Sequence, residues 1–257
     1  MAKMVLGAQL YSVRQSIQTI PDIAETFEKV KAMGYKTVQI SAMGPVDPKE
    51  VAKISEDTGI EVAATHFGWD RFLNDLDALI EEHKLWKCRH PAIGGLFADE
   101  YKSADGIKRF LDELAPVAER LAAEGMDFSY HNHNHEFGRV GEKTMLKTLL
   151  EESDPKHLNF EIDTYWVQAG GGDPAEWLRK CAGRIPIIHF KDMIATLDGK
   201  QRFAEIGEGN LNWPAIIEAA EAGGTEYCFI EQDDCYDRDP FESLAISYRN
   251  LHAMGLS

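Results

Sequence analysis

The chain of 257 residues has few cysteines, and no two of them have the spacing of a metal or redox motif. Cys88, Cys181, Cys228 and Cys235 stand in mostly apolar contexts, so we expect reduced core thiols rather than disulfides or a zinc cluster. No apolar run approaches the roughly 20 residues needed to cross a bilayer, and no stretch resembles a signal peptide. These absences predict a cytoplasmic protein without a membrane partner.

Basic residues are also scarce, since 27 lysines and arginines face 43 aspartates and glutamates, for a formal net charge of −16. This charge repels phosphate backbones and anionic surfaces, so nucleic acid is a poor candidate partner. The glycine-rich phosphate turn of open α/β folds is missing too, because the first apolar run continues into YSVRQS. The expected partner is a small molecule, and nothing in the sequence demands a phosphate on it.

Short apolar runs alternate with helical patterns about eight times, and no linker divides the chain. One helical pattern begins near Pro21 and stops at Gly34. Another, from Phe110 to Leu121, contains Pro116, which must kink the helix or mark a restart. Such repeats predict an α/β fold, a single (β/α)8 TIM barrel over residues 1–257, with parallel strands. The strand-like runs are 4–11, 36–41, 60–67, 88–95, 126–133, 157–163, 185–192 and 226–233.

The last four predicted strands end in ionisable groups, at the barrel face where active sites lie. Alternation places Glu161 and Asp163 on one face of the sixth strand. It likewise places His189 and Lys191 on one face of the seventh, while Glu231 ends the eighth. Imidazole and carboxylate ligands together suit a divalent metal ion. The pattern therefore favours Asp163, His189 and Glu231 as ligands.

The stretch SYHNHNHEF, residues 129–137, places His131, His133 and His135 at alternate positions. On one strand these side chains would share a face, which is typical of a ligand cluster or a solvated strand end. We expect the strand to end before His135. His66 ends the third strand, and Trp166, after the sixth, is expected to shape the pocket.

Several acidic and basic residues also have a purely structural interpretation. Asp192 and Asp233 could cap the helices that follow their strands. Lys191 could pair with Glu205 or Glu208 instead of serving the chemistry.

The motifs GAQLYSVR, YHNHNHEF, IDTYW with AGGGDP, GRIPIIHFKD, EIGEGNLNW and FIEQD resemble those of the xylose-isomerase-like superfamily. This superfamily contains sugar phosphate isomerases and epimerases and the AP endonuclease family. The resemblance covers the chain from the first strand to the last and points to a branch with the YHNH motif. It supports the barrel and says little about the substrate.

The resemblance implies one divalent metal ion held by a Glu on strand five, an Asp on six, a His on seven and a Glu on eight. Asp163, His189 and Glu231 match the last three positions. At strand five the chain has His131 instead of Glu, so His131 is the expected fourth ligand. His133 or Glu136 would take this role in a shifted register. The ion itself, Mn²⁺, Zn²⁺, Co²⁺, Fe²⁺ or Mg²⁺, is not specified by mixed ligands.

The implied activity is that of a metal-dependent sugar isomerase or epimerase acting on a keto-sugar, polyol or sugar phosphate. Glu231 or Glu161 would remove the proton next to a carbonyl, and Lys191 would help to stabilise the resulting enediolate. His66, His133 and Trp166 are the expected substrate contacts.

Two other functions stay open at this point. One is a dehydratase or lyase acting on a keto-sugar or keto-inositol, as in inosose dehydratases, and the other is a non-catalytic sugar-binding barrel. The acidic charge disfavours an AP-endonuclease role. Carbohydrate is the expected ligand, preferably unphosphorylated, and pairing of two copies into a homo-oligomer is left open.

Overall fold

The protein, described by a computed structural model over residues 4–256, forms a closed barrel of eight parallel strands. Each strand pairs with its neighbour in sequence, and the last closes on the first where Val5 pairs with Tyr227. The barrel strands are β1 Val5–Gln9, β2 Thr37–Ile40, β3 Glu61–Phe67, β4 His90–Ile93, β5 Ser129–His131, β6 Asn159–Asp163, β7 Ile187–Phe190 and β8 Tyr227–Ile230. The predicted (β/α)8 fold is confirmed, and each predicted run contains a strand. Residues 1–3 and 257 of the predicted domain lie outside the described residues.

Helices connect the strands on the outside of the barrel. They are α1 Ile20–Met33, α2 Pro48–Thr58, α3 Trp69–Asn74, α4 Leu76–Trp86, α5 Ala104–Ala123, α6 Met145–Glu152, α7 Thr164–Ala169, α8 Pro174–Lys180, α9 Trp213–Gly223 and α10 Pro240–Ala253. Short 3-10 turns cover Leu10–Ser16, Asp99–Tyr101 and His135–Phe137. Two small hairpins, Arg139–Val140 with Lys143–Thr144 and Asp192–Ala195 with Gln201–Ala204, follow β5 and β7.

Local sequence sets the helix ends. The Thr19 side chain and Asp22 form a reciprocal capping box at the start of α1, and Gly34 ends this helix at a φ of 109°. Helix α5 runs without a break through Pro116, so the predicted restart at this proline is wrong. The predicted helix over Phe110–Leu121 is otherwise confirmed.

The barrel interior changes character along its axis. In the middle, Phe229 packs with Ala64, Ala92 and Ile187, all of them buried. A Cβ on Gly7 would lie 2.5 Å from the Phe229 ring, so glycine makes room for this aromatic side chain. Toward the C-terminal ends of the strands the interior becomes polar.

The sequence expectations on cysteine and membrane spans can be compared with the structure. All four cysteines are buried and free, as predicted. Within residues 4–256, no helix combines the length and apolar character that a membrane crossing requires.

One buried histidine outside the barrel mouth makes the fold sensitive to acid. His83 of α4 is fully buried, with Nδ1 2.7 Å from the Leu79 carbonyl oxygen and Nε2 2.7 Å from Thr65 Oγ1. The carbonyl can only accept, so Nδ1 carries the proton and Nε2 accepts from the threonine hydroxyl. Burial lowers the pKa of His83 to about 4.

We expect His83 to reduce stability below neutral pH, because the unfolded chain then binds a proton that the folded chain excludes. Its contribution is fully present above the unfolded pKa near 6.5 and is lost as the pH falls toward 4. Urea unfolding at pH 7 and pH 5 measures how much the unfolding free energy decreases between the two pH values. This decrease should be smaller by roughly 2 kcal/mol in His83→Gln than in the parent. Equal drops in parent and variant would contradict this assignment.

Candidate active site and metal centre

A cavity of about 350 Å³ opens at the C-terminal ends of the strands. In a (β/α)8 barrel this is the face that carries active sites. The predicted residues His66, His131, His133, Lys191 and Glu231 line it. Its walls also include Tyr11, Ser41, Phe67, Gly68, Gly94, Gly95, Phe97 and Asp233.

Four buried side chains meet at the floor of this cavity. His131, Asp163, His189 and Glu231 each place one nitrogen or oxygen atom within 4.8 Å of the others. His189 Nδ1 lies 2.9 Å from Glu231 Oε2 and 3.7 Å from Asp163 Oδ2, and His131 Nε2 lies 4.0 Å from the same Asp163 oxygen. The strands thus bring together the four residues expected as metal ligands.

Two buried atoms of this set lack a hydrogen-bond partner, which fits a bound cation. One is His131 Nδ1, which lies 3.8 Å from Glu161 Oε2, while Nε2 of the same ring is the nitrogen 4.0 Å from Asp163 Oδ2. Asp163 Oδ2 lies 3.1 Å from Lys191 Nζ without the alignment of a hydrogen bond. Buried polar atoms are rarely left unpaired. The donor set of two imidazoles and two carboxylates therefore fits one divalent metal ion.

The two carboxylate oxygens of Asp163 have different partners, one in helix α7 and one in the buried cluster. Its Oδ1 accepts a hydrogen bond from the backbone N–H of Trp166, at 2.9 Å, and so caps the start of α7. Its Oδ2 faces Lys191 and His189. The cap fixes the direction of the second oxygen.

The histidine stretch after β5 does not form one strand face. The strand ends at His131, while His135 begins a 3-10 turn with its Nε2 3.1 Å from the Leu96 carbonyl oxygen. The predicted strand over 126–133 is too long at both ends. Burial lowers the pKa of His133, which lines the cavity, to about 4, and Lys191 adds to this shift.

Glu136, the other alternative at strand five, faces its own loop. Its Oε1 accepts from the Tyr130 hydroxyl at 2.7 Å, and its Oε2 accepts from the backbone N–H of His133 at 2.8 Å. Glu136 is fully buried, and burial raises its pKa. The geometry gives Glu136 the task of holding the loop that carries His133, and favours His131 as the group of this stretch nearest the cluster.

A chain of buried amides runs beneath the cluster and begins at a backbone donor. The backbone N–H of Tyr11 donates to Gln9 Oε1 at 3.1 Å, which fixes the orientation of the Gln9 amide. Gln9 Nε2 then donates to Gln39 Oε1 at 2.7 Å, and Gln39 Nε2 donates to Glu161 Oε1 at 2.8 Å. Gln39 Oε1 is therefore an acceptor.

Gln39 Oε1 determines which nitrogen of His189 donates a hydrogen bond and which one is directed toward the cluster. His189 Nε2 lies 2.6 Å from Gln39 Oε1, so Nε2 carries a proton and donates. The other nitrogen, Nδ1, points to Glu231 and Asp163 and is left to bind a metal ion. Burial by itself would lower the pKa of His189, but Glu161 and Glu231 raise it well above the ordinary value. A metal ion must therefore displace a proton from Nδ1.

Lys191 lies within an acidic group at the cavity. Its Nζ is 2.6 Å from Glu231 Oε2, 2.9 Å from Asp233 Oδ1 and 3.1 Å from Asp163 Oδ2. Burial would lower the pKa of Lys191, but these three carboxylates raise it. Burial would raise the pKa of Glu231, but Lys191 and His189 lower it. Both groups are therefore charged at neutral pH.

The purely structural roles predicted for Lys191, Asp192 and Asp233 can be compared with the structure. The predicted pairing of Lys191 with Glu205 or Glu208 is wrong, since these glutamates bind Ser243 and Asn250. Asp192 accepts hydrogen bonds from the backbone N–H groups of residues 193, 207, 209 and 211 and from Trp213 Nε1, so it organises the EIGEGNLNW loop. Asp233, by contrast, lines the cavity.

Glu161 lies below the cavity and does not line it. It is fully buried, and its Oε2 bonds to His66 Nε2 while its Oε1 accepts from Gln39. Burial would raise the pKa of Glu161, but His189 and His66 lower it to about 2. Glu161 therefore stays ionised, and its hydrogen bond to a residue of the cavity lining is the one to His66.

Trp166 stands behind the cavity wall. Its ring centroid is 5.1 Å from that of His133, and Lys191 Nζ is 5.5 Å from the ring. Its indole Nε1 is buried without a partner.

Sequence patterns did not single out Gln39 or Phe97, and for Asp233 they offered a helix cap instead of a place in the cavity wall. Gln39 has a readable signal, because a glutamine between Val38 and Ile40 in a short strand lies on the face opposite these apolar residues. Phe97 belongs to a loop, whose position over the cavity depends on the whole barrel.

Comparisons with known proteins agree with this architecture. A family profile described as xylose isomerase-like TIM barrel matches residues 27–245, so the chain belongs to this family. A solved structure of a sugar phosphate isomerase/epimerase from Parabacteroides distasonis superposes with a TM-score of 0.82 at 22% identity, covering 99% of this chain and 96% of that one. This likeness shows the fold.

Two curated relatives are inosose dehydratases. The protein of Geobacillus thermodenitrificans is 29% identical over 149 residues, which are 51% of this chain and 49% of the relative. The protein of Lacticaseibacillus casei is 22% identical over 258 residues, covering 85% of each chain. This chain thus matches about half the length of the first relative.

We expect Gln39→Leu to weaken metal binding, because His189 Nε2 loses the acceptor that keeps Nδ1 free. Removal of a hydrogen-bond partner that orients a metal-binding histidine typically costs about tenfold to 100-fold in metal affinity. Gln9→Leu removes an amide from the same buried layer without removing that acceptor, and should cost less. Mn²⁺ titration followed by calorimetry, on variants with cooperative thermal unfolding, measures the difference. Affinity equal to that of the parent in Gln39→Leu would refute the assignment.

Proposed function

We propose that this protein is a divalent-metal-dependent sugar isomerase or epimerase that removes a proton next to a carbonyl. The observation that carries this proposal is the buried cluster of His131, Asp163, His189 and Glu231, placed beside Lys191 at the floor of a cavity. Membership of the xylose isomerase-like family supports it.

The four cluster residues would hold the metal ion. When bound, such an ion polarises a carbonyl and an adjacent hydroxyl group of the substrate as a Lewis acid. His131 replaces a carboxylate here, so the ligand set carries two negative charges instead of three. Together with a divalent ion, these four ligands would carry no net charge.

Glu231 is the proposed base. It lines the cavity, and its lowered pKa keeps it ionised and able to accept a proton. The Lys191 ammonium, 2.6 Å away, meets the negative charge that develops on the substrate oxygen. The three carboxylates around Lys191 keep it protonated for this role.

His66 is the proposed second proton-transfer group, on a different wall. It lies on β3, and β1 and β2 separate this strand from β8, which Glu231 directly follows. Glu161 holds its Nε2 from below, which orients the ring as a buried carboxylate orients a catalytic imidazole. We therefore assign Glu161 to positioning His66 rather than to proton abstraction.

The charges around the cavity favour an unphosphorylated carbohydrate. Lys191 is bound by three carboxylates, and two of them, Glu231 and Asp233, line the cavity. A phosphate group would find little positive charge there. His133 lines the cavity as the proposed contact of the sugar hydroxyls, and Trp166 packs behind His133 and would position it.

A dehydratase is the second candidate, favoured by the inosose dehydratases among the relatives. It shares the first step, in which Glu231 takes the proton. The routes part afterwards: His66 returns a proton to carbon in an epimerase, but protonates a departing hydroxyl in a dehydratase. A product lighter by one water would identify the second route.

We expect the parent protein, loaded with Mn²⁺, to exchange the hydrogen next to the carbonyl of a keto-sugar with deuterated solvent. Glu231→Gln and Lys191→Met should slow this exchange about 100-fold or more, because base and charge stabilisation are lost. Glu208→Gln, outside the cavity, is the matched control. Proton NMR of a panel of keto-hexoses and keto-inositols measures the rates.

Metal content measured by elemental mass spectrometry separates chemistry from metal loss in these variants. Exchange that persists in Glu231→Gln at the parent rate would exclude Glu231 as the base. A parent that binds metal and sugar without any exchange would instead be a sugar-binding barrel.

A further inference from the structure

A second cavity adjoins the cavity of about 350 Å³ at the barrel mouth, which we call the reaction cavity. It measures about 700 Å³ and lies beyond the C-terminal ends of β2 and β3. His66, Phe67 and Gly68 line both cavities. At the end of β2, Ser41 faces the first cavity while its chain neighbours Ile40 and Ala42 face the second. The two spaces therefore share one wall.

Gly68 lines both cavities and so lies at their boundary. This glycine has a φ of −67° and a ψ of 146°, a conformation that any residue can adopt. An ideal Cβ built on it meets no heavy atom within 4 Å. Neither backbone conformation nor crowding requires glycine here, and no side chain stands at this point of the boundary.

The lining of the second cavity is largely apolar. Met43, Pro45, Val46, Phe67 and Trp86 supply aliphatic and aromatic surface. Such a lining suits a group without charge, buried through its apolar area.

The charged side chains of this lining are already satisfied. Arg71 Nη2 lies 2.6 Å from Glu82 Oε1, and the Arg71 guanidinium carbon stands 4.2 Å from the centre of the Phe67 ring. An anionic group such as a phosphate would have to break this ion pair. The charge pattern favours a neutral occupant.

We propose that the second cavity is a subsite for an apolar or aromatic aglycone, attached to the keto-sugar ring that the reaction cavity holds. This inference rests on the proposed function and narrows its substrate class to glycosides. The reaction cavity, at about 350 Å³, accommodates one sugar ring, and the second provides room for the substituent.

Calorimetric titration with two inert glycosides tests the subsite. Methyl β-D-glucopyranoside and 4-nitrophenyl β-D-glucopyranoside share a sugar and differ in aglycone, and neither has the carbonyl needed for turnover. With Mn²⁺ supplied, we expect the nitrophenyl glycoside to bind about tenfold more tightly, because its ring is buried in the second cavity.

Val46→Trp fills the second cavity and should remove this preference while leaving the affinity for the methyl glycoside within about twofold of the parent value. Met43→Trp fills the same space and serves if Val46→Trp does not fold. Leu197→Trp adds the same indole at an exposed position that lines neither cavity, and should keep the preference.

Equal affinities of the parent for the two glycosides, or no binding of either, would overturn the subsite. A tenfold preference that survives both cavity-filling variants would overturn it as well. These results are independent of the exchange experiment, so a protein that prefers the nitrophenyl glycoside but exchanges no proton would refute the proposed function and keep the subsite.

Discussion

The arrangement of the barrel mouth depends on one buried carboxylate, that of Glu161. A carboxylate inside a barrel is costly unless each oxygen has a partner. Here Gln39 and His66 supply those partners, and His189 lies 3.2 Å from the same Oε1. The charge thereby fixes three side chains from β2, β3 and β7, and two of them line the cavity or belong to the buried cluster at its floor.

The residues that orient the site and the residues of the buried cluster come from different parts of the chain. The first strands provide Gln9, Gln39 and His66, which orient other groups, whereas the cluster residues come from β5 to β8. Hydrogen bonds join the two sets across more than 100 positions of sequence, as between Gln39 and His189. Neither set would be ordered without closure of the barrel.

Period-two alternation and barrel topology were sufficient to predict the eight strands and to place Asp163, His189 and Glu231 on inner faces. They were not sufficient to predict partners, because Lys191 could reach several carboxylates and only the closed barrel selects Asp163, Glu231 and Asp233. The end of β5 was also missed: the fold of the loop around Glu136, not the alternation of histidines, decides where pairing stops.

The packing of Phe229 against Gly7 has a kinetic consequence. Because this ring fills the barrel beneath the polar layer, the described residues close the barrel below the reaction cavity. Whatever leaves must use the route by which the next molecule arrives. If the proposed activity holds, product and substrate exclude each other from the same space, and accumulated product would act as a competitive inhibitor whose strength reflects how much of the original molecule it retains.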